Sequence, residues 1–171
     1  MEDRVYKFKF SNRVIYFGLL HIAFCVLFAY LLYILYEGGY HSVWFVTFVL
    51  ALIALLIFSI PRRMVVTPKQ LKIFCVLELT EINIADIVKV RKVNPRSMKW
   101  LMPMFASYGF FGYYGIFFDW RHAERIKMYT TEWQNIVEIV DIYEDRYYIS
   151  CRHSDIFVKD IQRRRRALDE A

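Results

Sequence analysis

Two uncharged runs constrain this chain more than any other feature. Val14 to Tyr36 contains no Asp, Glu, Lys or Arg, and neither does Val43 to Ile60, which Pro61 closes. At a rise of ~1.5 Å per residue the first run would cover roughly 35 Å as a helix, enough to cross a hydrocarbon core of about 30 Å. The short link "EGGYHS" between them, with its Gly38-Gly39 pair, predicts a tight turn and so a two-helix transmembrane hairpin, 14–36 and 43–60. A cleaved signal peptide is the competing reading. Its apolar stretch would be shorter, a small-x-small cleavage site would follow, and a second run would not begin at once. Composition agrees with the membrane class: 57% of the 171 residues are hydrophobic and 19% aromatic.

Orientation follows from the flanking charges. Arg4, Lys7, Lys9 and Arg13 precede the first run, and Arg62, Arg63, Lys69 and Lys72 follow the second, whereas the link carries only Glu37. The positive-inside rule therefore predicts both termini in the cytoplasm, with residues 1–13 as a cytoplasmic tail. Tyr30, Tyr33, Tyr36, Tyr40 and Trp44 gather around the link, as an outer aromatic belt would. Cys25, Cys75 and Cys151 lie far apart without CxxC spacing, which suits reduced thiols rather than a disulfide framework.

After Arg62 the pattern changes to short period-two runs. Leu71, Ile73, Cys75 and Leu77 share one face of "QLKIFCVL"; "EINIADIVKVRKV", "NIVEIVDIY" and "RYYISC" continue the series. With "MVV", "IFFDW" and "RIKMY" they predict about seven antiparallel strands. Ser154 or Asp155 would then cap a helix starting near Ile156, with Phe157 and Ile161 on one face, running into Arg163–Arg166. Residues 62–171 thus read as one mainly-β domain ending in a basic helix.

This order of strands followed by one helix resembles the pleckstrin-homology (PH) fold, in particular the PH-like domains of small bacterial membrane proteins. "YGFFGYYGIFFD", "KMYTTEWQNIVEIV" and "RYYISCRHSDIFV" carry the resemblance. Gly109, Phe111, Gly112, Tyr113 and Gly115 match a Gly-rich motif segment, Thr130 a strand end, and Tyr148, Ile149, Ser150, Asp155 and Phe157 a strand leading into a helix start. The resemblance implies a PH-like barrel or sandwich in the bacterial inner membrane. It also implies a binding or scaffolding role without enzymatic activity or cofactor.

The chemistry-bearing residues point the same way. His21, His41, His122 and His153 are dispersed, and no P-loop, HExxH, GxSxG or paired-carboxylate pattern is present. Cys151 and His153 could form at most a two-ligand corner, and a structural role for them is the simpler reading. His21, inside the first run, either marks a proton or ion path or, as the simpler reading, shares a hydrogen bond with the neighbouring helix, for instance near Thr47 or Ser59. The basic loop with Arg91, Lys92, Arg96 and Lys99 lies where PH-type domains meet lipid headgroups. It either attracts anionic lipid or is a solvated loop. Arg163–Arg166 either touch lipid or complete the last helix at its negative end. Protein partners and self-association remain alternatives to lipid, and membrane tethering argues against nucleic acid. A second functional reading makes the chain a small subunit of a transport or envelope-stress complex, with the hairpin as its working part.

One uncharged stretch remains, Leu101 to Phe118, with glycines at 109, 112 and 115. A third span would contain Pro103 and three helix-breaking glycines, and would carry the C-terminal arginines outward. As a phosphate loop it lacks GxGxxG spacing. The stretch is expected to be a β-corner or loop whose aromatics pack the core or brush the membrane surface.

Overall fold

The computed structural model describes residues 3–35, 40–58, 60–76 and 79–170. The Gly38-Gly39 turn expected between the apolar runs lies outside them. Helix α1 spans Asn12–Leu35 and α2 spans Tyr40–Phe58. The two touch through the rings of Phe28 and Phe45, 6.1 Å apart. By length and composition α1 can cross a membrane, and only 11% of its most apolar stretch is buried. Tyr30, Tyr33 and Trp44 all point outward.

A strand precedes these helices. β1 (Arg4–Lys7) pairs antiparallel with β2 (Pro61–Val66), Lys7 opposite Arg63 and Arg4 opposite Val66. The segment read as a tail is therefore in part an edge strand of the domain, and the two helices are an insertion within one sheet. β1 is tied down from the far side as well: the Tyr6 hydroxyl donates to Asp160 at 3.0 Å, and its ring meets Phe157 edge-on at 5.1 Å. β3 (Gln70–Cys75) and β4 (Leu79–Asn83) complete a four-stranded sheet in the order β1-β2-β3-β4.

The second sheet has six strands: β5 (Ile87–Val93), β6 (Leu101–Tyr108), β7 (Tyr113–Asp119), β8 (Glu124–Thr130), β9 (Ile136–Asp141) and β10 (Arg146–Ser150). Their spatial order is β5-β9-β10-β8-β7-β6. Three features correct the expected count and pairing. The run 81–93 is two strands, because a turn with Asp86 N–H on the Asn83 carbonyl at 3.1 Å sends β4 and β5 to different sheets. Leu101–Tyr108 is a full strand despite Pro103, which an edge position tolerates. Finally, β10 lies parallel to β8, since the chain leaves β8 to form β9 and returns between the two.

Helix α3 (Ser154–Asp169) starts two residues earlier than expected, and its N-cap His153 makes no side-chain cap bond. It closes the main core, where Met64, Leu71, Ile73, Ile139, Ile149 and Phe157 are fully buried between the sheets. A second core lies on the opposite face of the six-stranded sheet, around Phe117, Ile126, Met128 and Ile136, and includes Val14 from the first turn of α1.

Gly115 is where the β6–β7 pairing depends on glycine. Its φ is +108°, and a Cβ there would press on the Phe105 carbonyl and lie 2.8 Å from the Ala106 Cα, both immovable backbone. Gly109 (φ +92°) has open space around it. Gly115→Ala is expected to destabilise the protein by at least about 1–3 kcal/mol. Gly109→Ala, paying only for its backbone angle, costs less. Thermal unfolding of the detergent-purified variants checks both the loss and its order.

Candidate functional site: the helix-exit end of the domain

The strand registers define two ends. Lys7 lies opposite Arg63, and Pro61 opposite Cys75, where the chain enters α1 and leaves α2. The six-stranded sheet aligns with that end. Tyr108 faces Tyr113, Tyr113 faces Thr130, Ser150 faces Ile136, and Ile136 faces Val93. Two bonds lock the sheets together here: the Thr131 hydroxyl donates to the Lys9 carbonyl at 2.8 Å, and Ser11 N–H to the Thr131 carbonyl at 3.4 Å. The opposite end carries the turns at Asn83–Asp86 and Asp141–Asp145.

Exposed cations gather at the helix-exit end: Lys7, Lys9, Arg13, Arg62, Arg63 and Arg152. The Arg63 guanidinium sits 4.8 Å over the Phe74 ring, which holds it out at the surface. Acidic groups nearby are spoken for. Glu132 is buried and accepts from Asn135 at 3.3 Å, and Asp155 pairs with Lys92 at 3.2 Å. Beside the start of α1 lies a cleft of about 470 Å³, lined by Lys9, Asn12, Arg13, Tyr113, Trp133 and Gln134 among others. Its aromatic wall is the Tyr113–Trp133 pair, ring centroids 4.6 Å apart.

The basic loop read from the sequence is not one surface. Arg91 and Lys92 are neighbours on β5 and so point to opposite faces. The Arg91 Nε–H donates to Glu138, which is 1% exposed and also accepts from the Tyr148 hydroxyl at 3.3 Å. Lys92 serves Asp155 on α3. Lys99 begins the stretch into β6, at the end away from the helices. The Arg96 side chain lies outside the described residues. Nor do Arg163–Arg166 form a common patch. Arg164 is buried and bonds Asp160 at 3.3 Å, while the Arg165 Nη1 donates to the Val88 carbonyl at 2.6 Å. That second bond, with Lys92 at the start of α3, shows the helix running away from the helix-exit end, so its arginines finish at the far end.

The remaining candidates divide similarly. Gly109, Phe111 and Gly112 form the β6–β7 turn, and Tyr113 and Gly115 open β7. Cys151 is buried, which pushes its thiol up, whereas His153 is exposed. His21 bonds the Phe17 carbonyl of its own helix at 2.7 Å rather than a neighbour.

Sequence reasoning missed the buried polar groups of the six-stranded sheet. Tyr148 is pushed up to about 12 by burial first and by the Glu138 charge second. Burial alone would raise the Asp119 carboxyl. The hydrogen bond from His122 at 2.7 Å and the Arg121 N–H outweigh it and hold the group below the usual carboxylate range. Only the strand alternation around Glu138 hinted at an inward-facing carboxylate.

Two packed sheets closed by a C-terminal helix, hung from apolar helices at one end, define a PH-like sandwich. The sequence comparison agrees: the bacterial PH domain family matches residues 62–165. The chain belongs to that family. No curated protein matched the chain, and no solved structure did.

Arg91→Gln removes a partner of a buried charge and is expected to cost about 2 kcal/mol of stability. Lys92→Gln breaks an exposed pair and should cost less than about 1 kcal/mol. Denaturant unfolding of both variants measures the contrast; equal effects would place Arg91 at a solvated surface instead.

Proposed function

We propose that the chain is a membrane-anchored PH-like interaction module whose helix-exit end engages anionic lipid headgroups at the cytoplasmic face of a bacterial inner membrane. In this reading α1 and α2 cross the bilayer as a hairpin, with both termini cytoplasmic. Their surfaces support it: Leu19, Phe24, Leu27, Phe48 and Leu50 face outward along both helices, a surface that water would penalise and lipid would not.

One observation carries the headgroup assignment. Six exposed cations from separate segments of the chain converge on the end from which both helices leave. Any bilayer holding those helices lies against that end. Each such Lys or Arg near an anionic leaflet contributes about 1 kcal/mol, so together they exceed what any single pair supplies. The role is binding rather than catalysis. The buried Tyr6, Tyr114 and Tyr148 hydroxyls are pushed up to about 12, first by burial, which leaves them unsuited to proton transfer near neutral pH.

The alternative, with the helices as the working part, finds less support. It asks for polar groups facing each other between α1 and α2. Thr47 instead donates to the Val43 carbonyl at 2.8 Å, and His21 likewise bonds within its own turn.

Lipid retained by the purified full-length protein tests the proposal. Combined Lys9→Gln, Arg13→Gln, Arg62→Gln and Arg63→Gln should sharply lower the ratio of anionic to zwitterionic phospholipid measured by mass spectrometry. Arg163→Gln with Arg166→Gln, at the far end, should leave it unchanged. The reverse pattern would refute the assignment.

A further inference from the structure

The β6–β7 turn stands beside α1 in a way that the core alone does not require. Val14 is buried in the cluster that holds Tyr113. One turn on, the Phe111 ring lies so close to Gly18 that a Cβ on that residue would come within 2.9 Å of it. Next, the rings of His21 and Phe110 meet edge-on, centroids 6.5 Å apart. The contacts ascend α1 as the turn is approached, over about 10 Å of helix at ~1.5 Å per residue.

Length decides where that part of α1 sits. If residues up to His21 stood in water, Ile22–Leu35 would be left, covering roughly 21 Å as a helix against a hydrocarbon core of about 30 Å. That remainder is too short. The first turns of α1 must therefore lie at membrane depth, and the tip of the hairpin lies beside them.

The turn is built for such a place. No charge occurs between Leu101 and Phe118. Non-helical backbone at membrane depth must satisfy its own polar groups, and this turn meets part of that demand from within. The Phe110 carbonyl accepts from the Ser107 hydroxyl at 3.2 Å and from the Tyr114 hydroxyl at 2.9 Å, while Gly109 N–H donates to the Gly112 carbonyl at 2.9 Å. Phe111 adopts φ +52°, a strained angle for a bulky residue, which its packing against Gly18 compensates. Just below the tip Tyr108 is 55% exposed, at the level where aromatic side chains sit between headgroups and acyl chains.

We propose that the Ser107–Tyr114 turn enters the bilayer beside α1 as an aromatic wedge, giving the domain a second hold on the membrane besides its covalent helices. The proposal rests on the reading of α1 as a membrane span. The occupant of the exposed Tyr108 face is lipid, because Tyr108 stands directly beside a tip that α1 fixes at membrane depth.

A photocrosslinking benzophenone amino acid in place of Tyr108 tests this in the full chain, reconstituted in phosphatidylethanolamine–phosphatidylglycerol vesicles. Parallel proteins carry it at Phe24, outward on α1, and at Ile142, exposed in the turn at the far end of the sheet. After illumination, mass spectrometry should find phospholipid adducts at Tyr108 on the same order as at Phe24, and background only at Ile142. Adducts at Phe24 but not at Tyr108 would overturn the wedge and leave the anchor standing. A covalent dimer at Tyr108 in place of lipid adducts would make that face an interface between copies, and would also overturn the wedge. Absence of lipid adducts at Phe24 would remove the anchor reading and the wedge together. Thermal unfolding of the labelled protein at the same temperature as the unlabelled one excludes a local packing fault at Tyr108.

Discussion

The pairing of β1 with β2 is the constraint on which the rest of the structure depends. A strand that ends at Lys7 and another that begins at Pro61 lie antiparallel in one sheet, although two helices separate them in the chain. The segment between must leave and return at the same end, which fixes the position of α1 and α2 relative to every other strand. The Tyr6–Asp160 bond and the Arg4–Asp160 ion pair then clamp β1 to α3. The apolar insertion and the family domain are thereby one mechanical unit rather than a domain on a tether.

From that constraint the two ends of the domain acquire different characters. The helix-exit end holds free cations, an aromatic-walled cleft and the uncharged β6–β7 turn. The opposite end also holds exposed cations, Lys99, Arg163 and Arg166 among them, but pairs much of its charge: Arg146 bridges Glu124 at 2.8 Å, Lys127 meets Asp145 at 2.9 Å, and Asp119 holds His122. Such pairs satisfy one another and leave little net field. Polarity of this kind suits a body that lies with one end on an anionic surface, which is the role proposed for it.

Much of the domain was legible because its strands alternate strongly, and the family resemblance rested on residues that do form one turn and the strands around it. What escaped has physical causes. β1 is four residues long, and nothing local in "RVYK" signals a partner that lies beyond two helices. β6 hides behind Pro103 and three uncharged oily turns of sequence, a composition that mimics a membrane segment. Arg91 looked like a surface cation because its partner, Glu138, is distant in sequence and reached only through the β5–β9 register. The cationic end was legible in large part, since Lys7, Lys9, Arg13, Arg62 and Arg63 flank the apolar runs in the sequence. Only Arg152 is brought to them by the fold, whereas the dense runs at 89–99 and 163–166 are dispersed by folding.

The central claim is that the helix-exit end faces the bilayer. Amide NMR of the isotope-labelled full chain in nanodiscs, with a nitroxide on the lipid headgroups, tests it directly. Signals of Lys7–Ser11, Thr131–Asn135 and Cys151–His153 should broaden strongly, while those of Asn83–Asp86, Asp141–Asp145 and the last turn of α3 stay sharp. Uniform broadening, or the strongest broadening at the far end, would contradict the orientation on which the proposed function stands.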